Sequence, residues 1–487
     1  MLLLVVIVAL LLLLLDSQKY HTSSISNSIS NSIRVIVVMA IRCGFTVGRN
    51  TGESSLVDQL KRYKAKELTE NNDARDKRSL FASFRTGTST RPPNPAHETL
   101  FAKCVKVVVD NFNKRPVTEV IPPPLMHEIT KNLPSDIAPI IGAKYIFDEG
   151  YWKRVSVEKY GWHNCVLSEH GLMWKQLYFE KYLQDRLEDF DSQSENISNI
   201  LDLLDACLDY IFTLSFRQLP SHIDLSELCA LLPNLSRLDI CYGVNKIGMN
   251  YERILFGMKI SDATSLAKVF DHSETLTTVI LSGNIIDDDL LRMLMTGLIK
   301  NNTITSLDVS HNKITNHGAR LLSKLLGENS VITSLNLADN QIYAEGGRYL
   351  ARGLRENDSL LNLNMRLNRL TDDGCRLLLE GLQDNISVTN LNISCNNAGP
   401  QAAQTLFSII RDQNHSLQSV DVSGNEFQTS HFELLRLSLA SNTTLTSIDL
   451  RSNPGYDEAY RAVTEIDKII HNNEFKLMKS KRGEQSM

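Results

Sequence analysis

The stretch Leu307-Asp308-Val309-Ser310-His311-Asn312 decides the fold, because it returns along the chain at a fixed interval. It recurs as Leu335-Asn336-Leu337-Ala338-Asp339-Asn340, as Leu363-Asn364-Met365-Arg366-Leu367-Asn368 and as Leu391-Asn392-Ile393-Ser394-Cys395-Asn396. Val279 to Asn284 stands before it, and Val420 to Asn425 and Ile448 to Asn453 come after it. The asparagines fall at 284, 312, 340, 368 and 396, always 28 apart; 425 is one residue late, and 453 follows 28 after it. Leu235-Ser236-Arg237-Leu238-Asp239-Ile240 reads as a degenerate first repeat, followed by a longer excursion from Tyr242 to Phe270.

In each L-x-x-L-x-L run, alternate residues such as Leu307 and Val309 point into the core of a short strand. The asparagine ends the strand, where its amide can satisfy backbone groups that no sheet neighbour reaches. Asn284, Asn312, Asn340, Asn368, Asn396, Asn425 and Asn453 therefore form a predicted structural ladder. Two residues on, Ile286, Ile314, Ile342, Leu370 and Phe427 plug the turn. Gly318, Gly346 and Gly374 then open a helix, as in Ala319 to Leu326. One strand and one helix cannot bury their own apolar faces, so such units stack into a solenoid. The expected class is α/β, a leucine-rich-repeat solenoid over 233–456. Its repeat length and its helix in each unit resemble the ribonuclease-inhibitor-type horseshoe.

Residues between the inward-pointing ones face the concave side. They read Ser306, Asp308, Ser310; Ser334, Asn336, Ala338; Asn362, Asn364, Arg366; Asn390, Asn392, Ser394; Ser419, Asp421, Ser423; Ser447, Asp449, Arg451. This surface is polar, small and almost without aromatics, so recognition there has to draw on charge and hydrogen bonding. The candidate partner contacts are Asp308, Asn336, Asn364, Arg366, Asn392, Asp421, Asp449 and Arg451. The convex helices and the region upstream are the other docking surfaces on offer.

Upstream of the repeats the character changes. Residues 1–50 hold the apolar run Leu2 to Leu15, the low-complexity SISNSISNSI (Ser24 to Ile33) and a second apolar patch, Val35 to Val47. The first run lacks a basic start and a small-x-small cleavage site, and it is short of the roughly 20 residues a spanning helix needs. We read 1–50 as a non-structural leader, with a signal peptide or anchor as the competing reading. Residues 51–120 are polar and read as a linker, with basic clusters at Lys61-Arg62-Tyr63-Lys64, Arg75-Asp76-Lys77-Arg78 and Arg91-Pro92-Pro93. Pro122-Pro123-Pro124 marks a boundary. Residues 121–232 read as a helical cap, with helices at Ile137 to Phe147, around Trp174 to Leu183 (amphipathic) and at Ile197 to Ile211. Trp152, Trp162 and Trp174 are expected to form its core. Residues 457–487 read as a C-terminal helix and basic tail.

Chemistry is not expected. There is no G-x-x-x-x-G-K-[ST], H-E-x-x-H, G-x-S-x-G or kinase signature, the twelve histidines are isolated, and no cofactor or metal set is legible. Asp287-Asp288-Asp289 opens a repeat helix, where acidic side chains favour the positive end of the dipole. None of the eight cysteines forms a CxxC pair, which points to reduced thiols. Sequons at Asn196, Asn301, Asn385 and Asn442 say little in a repeat already rich in Asn, Ser and Thr. A net charge of -5, with 42% hydrophobic and 22% charged residues, gives no cause to expect nucleic acid or a membrane as partner.

Three stretches carry a family resemblance: Asp148-Glu149-Gly150-Tyr151-Trp152-Lys153-Arg154, the run Trp174 to Leu183 (WKQLYFEKYL), and Leu238 to Glu252 (LDICYGVNKIGMNYE). Together with the repeats they resemble the leucine-rich-repeat subunit of the nexin–dynein regulatory complex, the subunit 5 or t-complex-associated testis-expressed family, over roughly residues 120 to 475. That resemblance implies a non-catalytic protein of the ciliary or flagellar axoneme. It also implies other subunits of the complex as partners and a role in regulating dynein-driven motility. Two other readings stay open: an F-box-like substrate receptor of a ubiquitin ligase, from Leu133-Pro134 and the spaced tryptophans, and a small-GTPase activator, from the repeats alone. Binding to the ubiquitin-ligase adaptor, or accelerated GTP hydrolysis, would separate them.

Overall fold

The structure, a computed structural model, describes residues 99–116, 121–191, 197–244, 255–327, 330–412 and 416–484. The leader, the basic clusters, Asn196, most of the stretch from Tyr242 to Glu252 and the last three residues lie outside the described residues. The chain forms two compact units, 1–108 with 117–122 and 109–116 with 123–487. The helices are α1 (Leu100–Asn111), α2 (Pro123–Asn132), α3 (Pro139–Tyr145), α4 (Glu149–Tyr160), α5 (Trp174–Glu188), α6 (Ser198–Cys207) and α7 (Leu225–Ala230). In the repeats, α8 (Ile260–His272), α9 (Asp288–Leu298), α10 (Asn316–Leu325), α11 (Ala344–Glu356), α12 (Thr371–Gly381), α13 (Pro400–Asp412) and α14 (Thr429–Leu439) follow, and α15 (Tyr460–Glu484) ends the chain. Among the described residues no helix is long and apolar enough to cross a membrane.

Among the described residues nine short parallel strands make one sheet in sequence order: β1 (Thr213–Phe216), β2 (Arg237–Ile240), β3 (Thr278–Ile280), β4 (Ser306–Asp308), β5 (Ser334–Asn336), β6 (Asn362–Asn364), β7 (Asn390–Asn392), β8 (Ser419–Asp421) and β9 (Ser447–Asp449). The register is set by the repeat, with Leu307 opposite Leu335 and Leu335 opposite Leu363. Strand after strand, the alternate apolar residues are buried beneath the helices, Leu307 and Val309 among them. Burying each such side chain contributes roughly 1.5–3 kcal/mol. The turn plugs Ile286, Ile314, Ile342, Leu370 and Phe427 are buried as well.

The sheet begins one strand earlier than the expected start near 235. Ile211, Leu214 and Phe216 supply the apolar triplet and are all buried, and β1 pairs in register with β2. The signature asparagine is absent from both first repeats. Leu219 and Gly243 stand in its place and bridge each other, so the ladder rule had nothing to find. Within the expected polar linker, Leu100–Asn111 is a helix. Its run Cys104 to Val109 is apolar enough to fold, a signal diluted by averaging over seventy polar neighbours.

The acidic run Asp287-Asp288-Asp289 divides its labour. Asp287 caps its own helix, accepting from Asp289 N and Leu290 N. Asp288 instead caps the next helix, its Oδ1 accepting from Thr315 N and Gly318 N at 2.9 Å. Asn316 does the same for Tyr343 N and Gly346 N, and Asp372 for Gly399 N and Ala402 N. Capping thus ties neighbouring helices together.

The helical region before the repeats is built around α5, the helix expected to be amphipathic, which is buried on its polar positions as well. Lys175, Gln176 and Glu180 are buried along with Leu177, Phe179 and Leu183. Burial is possible because each polar head finds partners brought from elsewhere in the chain. Lys175 Nζ donates to Ala143 O at 2.7 Å and Tyr210 Oη at 3.0 Å, and lies 4.1 Å from the Tyr210 ring centroid and 4.4 Å from that of Phe147. Burial pushes its ammonium down to about 8. Glu180 Oε1 accepts from the backbone N–H groups of Phe212 and Thr213, both at 2.8 Å, and from Gln176 Nε2. Its other oxygen meets His170 Nδ1. One carboxylate thereby fastens the start of the sheet to the helical region.

The tryptophans do not form one core. Trp152 is buried, donating from Nε1 to Ile146 O at 3.0 Å. Trp162 is 59% exposed and pairs with the half-buried Trp174 at 6.1 Å, with Lys153 Nζ 5.5 Å and 5.8 Å from the two ring centroids. Trp162 opens a short 3-10 helix after α4 and is covered only in part, with Trp174 of α5 beside it.

Candidate protein-binding surface

On the sheet face turned away from the helices, side chains line up in rows because the register is constant. An open groove along this face is lined by residues including Arg237, Asp308, Asn336, Asn364, Asn392 and Asp421. Five of the eight candidate contacts therefore share the groove, while Arg366, Asp449 and Arg451 do not line it. The rows are cross-linked. Asn336 Nδ2 donates to Asp308 Oδ2 at 2.8 Å, and Asn392 Nδ2 donates to Asp421 Oδ2 at 2.9 Å. Arg237, Thr278 and Asn390 also line the groove. Arg237 belongs to the strand read as degenerate, so its place on this face emerges only from the register.

The third residue departs from the concave reading in three of the six triplets. Ser310, Ala338 and Ser394 are buried. Past the strand the chain turns inward, and the preceding side chain holds the turn: Asp308 Oδ1 accepts from Ser310 N, Asn336 Oδ1 from Ala338 N and Asn392 Oδ1 from Ser394 N. Arg366 and Arg451 occupy the same position and reach out of it. Arg451 is engaged, its Nη2 donating to Asp449 Oδ2 at 2.5 Å. Hydrogen bonding from Arg451 holds the Asp449 carboxyl below its usual range. Burial raises Asp239, at the other end of the row.

Beneath this face lies the asparagine ladder. Asn312 Nδ2 donates to Leu281 O one repeat earlier at 3.0 Å, and its Oδ1 accepts from Ile286 N at 2.9 Å. Asn340 repeats this with Val309 O and Ile314 N, Asn368 with Leu337 O and Ile342 N, and Asn453 with Val422 O and Phe427 N. Asn284 reaches Ile240 O and Tyr242 N, Asn396 reaches Met365 O and Leu370 N, and Asn425 reaches Ile393 O and Ala398 N. All seven are buried. Asn340→Ala or Asn368→Ala is expected to cost about 1–3 kcal/mol, because the buried N–H of Ile314 or Ile342 loses its side-chain acceptor. An unchanged urea midpoint for either variant would show that the ladder contributes nothing.

A second ladder was hidden in the sequons. Asn301 Oδ1 accepts from Thr303 N and Ile304 N, Asn385 Oδ1 from Ser387 N and Val388 N, and Asn442 Oδ1 from Thr444 N and Leu445 N. Their Nδ2 groups donate one repeat back, to Phe270 O, Leu354 O and Ile410 O. Asn357, which heads an Asn-x-Ser of the same kind, does likewise with Leu326 O. The motif Asn-x-Ser/Thr at these four places is a turn that joins a helix to the next strand. Its 28-residue recurrence was the signal available for it.

Among the described residues no group of three His, Cys, Asp or Glu side chains could hold a metal ion, and all seven described cysteines are free. The arrangement offers hydrogen bonds and charge along a groove, which suits recognition of another chain.

Comparison with known proteins agrees with the repeat reading. The leucine-rich-repeat family model matches residues 300–323, 328–351 and 413–430. Over 191 residues the chain is 42% identical to dynein regulatory complex subunit 5 of Chlamydomonas reinhardtii, a match covering 39% of this chain and 48% of that protein. Over 224 residues it is 31% identical to proteins of the same name from Mus musculus and Homo sapiens, covering 40% of this chain and 45% and 44% of theirs. The chain thus spans about half the length of the curated relatives it matches. These relatives bear the name of the family that the sequence resembles.

Proposed function

We propose that this chain is a non-catalytic scaffold subunit of the axonemal nexin–dynein regulatory complex, which binds neighbouring subunits through its horseshoe and so helps regulate ciliary or flagellar motility. The observation that carries this reading is the 42% identity to a protein named for that complex. The groove supports it: a polar surface with side chains cross-linked along the sheet offers hydrogen bonds and charge to another chain. The test is localisation in ciliated or flagellated cells, with an antibody raised against the repeats. The expected result is an axonemal signal that resists detergent extraction. Signal confined to the secretory pathway or the medium would overturn the assignment while leaving the horseshoe as it is.

A further inference from the structure

In every repeat from β3 onward, the residue before the ladder asparagine adopts a left-handed backbone. The values are +72° at Gly283, +55° at His311, +51° at Asp339, +56° at Leu367, +56° at Cys395, +64° at Gly424 and +58° at Ser452. This turn lets the asparagine drop into the core. Glycine takes it freely, and short polar side chains tolerate it, but a leucine pays for it in steric clash. Burial would normally offset that cost. Leu367 is instead 43% exposed.

An exposed arginine precedes the strained residue here, as Arg451 does in the last repeat, but among the described repeats only this one has a leucine in that place. Arg366 is exposed where Ser310, Ala338 and Ser394 are buried. Tyr343, 44% exposed, lies one repeat back, beside Arg369. The Arg369 Nη1 donates to Tyr343 Oη at 2.7 Å, and its guanidinium carbon is 5.7 Å from the ring centroid. Among the described residues neither Arg366 nor Arg369 forms an ion pair with a carboxylate. The acidic groups on the flanking turns are occupied: Asp339 by His311 at 2.8 Å, and Asp373 by Arg376 at 2.6 Å.

Resting on the reading of the horseshoe as a protein-binding module, we propose that Tyr343, Arg366, Leu367 and Arg369 form the anchor site for an acidic segment of a partner protein. An apolar side chain of that segment seats on Leu367 and Tyr343, and its flanking carboxylates meet the two guanidinium groups. The chemistry is that of an interface hot spot, an aromatic ring and arginines around an apolar anchor. Arginine presents paired donors suited to carboxylates, and here two arginines stand without one. Arg366 follows Asn364, which lines the groove, by two residues.

The test measures fluorescence anisotropy of a short labelled peptide of glutamates around a central leucine, titrated with the full chain. Matched peptides carry glutamine for glutamate, or alanine for leucine. The wild-type chain is expected to prefer the acidic leucine peptide over both. Arg366→Glu with Arg369→Glu should weaken binding by about tenfold or more, the loss typical of a hot spot. Leu367→Gly should weaken it by about fivefold, while its melting temperature stays level or rises because glycine relieves the strained backbone. Equal binding of the glutamate and glutamine peptides, no binding of the acidic peptide, or wild-type affinity in Leu367→Gly would overturn the proposal. The two readings fail separately. An axonemal protein whose Leu367→Gly variant binds normally loses this site alone, and a non-axonemal protein showing the expected losses loses only the proposed function.

Discussion

Glu180→Ala is expected to destabilise the fold by about 3–5 kcal/mol, the range for removing one partner from a buried, hydrogen-bonded charge. Glu180 is only 3% exposed and sits at the junction of four partners. Its loss leaves His170 and Gln176 without an acceptor and strips the side-chain acceptor from the N–H groups of Phe212 and Thr213. No water can replace the carboxylate cheaply at that depth. Glu180→Gln keeps one acceptor oxygen for the two backbone donors, so it should recover a substantial part of the loss. Urea unfolding followed by circular dichroism measures both variants. Because neighbours in a solenoid stabilise one another in sequence, hydrogen exchange should speed up first at β1 and β2. A change below about 1 kcal/mol for Glu180→Ala would mean that the carboxylate does not hold the helical region to the sheet.

Gly297→Val should be nearly as damaging, for the opposite reason. A Cβ at position 297 would lie 2.0 Å from Ala267 O, a backbone atom of α8 that cannot rotate away. The same close approach recurs at Gly353 against Ser323 O and at Gly381 against Ala351. Helices of successive repeats thus pack with backbone against backbone, and a side chain would push them apart. Overpacking of this kind costs about 3 kcal/mol where the structure cannot give. Gly283→Ala is the matched control: nothing lies within 4 Å of its Cβ, so only the left-handed backbone resists it. Its cost should be about 1 kcal/mol. If Gly297→Val melted like the wild type, the spacing of α8 and α9 would have to be softer than the packing implies.

Much of the repeat was legible because each unit solves the same local problem. Leu307, Val309, Asn312 and Ile314 are set by rules that act within one turn of the chain and against an identical neighbour. Where a repeat broke the rule, reading was harder: Leu219 carries no ladder amide, and β1 before it went unseen. The second ladder is present in the sequence at Asn301, Asn385 and Asn442, where a repeat already rich in Asn, Ser and Thr conceals it. The candidate contacts split for a similar reason. Alternation along a strand placed Asp308 and Asn392 on the outer face, whereas the inward turn that buries Ser310 and Ser394 lies beyond the strand, where alternation no longer holds.

By itself, then, the order of residues determined that this chain stacks units of one strand and one helix, where the core of each lies, and which strand positions look outward. Periodicity encodes all of that, since every unit repeats its neighbour's contacts at the same offset. Only the tertiary structure decided that Lys175 and Glu180 go inside, that Trp162 stays outside, and that Tyr343 lies beside Arg369. Those outcomes depend on groups far away in the sequence, as on Ala143 for Lys175 and Phe212 for Glu180. A polar side chain is buried when distant partners can take up its hydrogen bonds, and nothing in its own neighbourhood of the sequence records whether they will arrive.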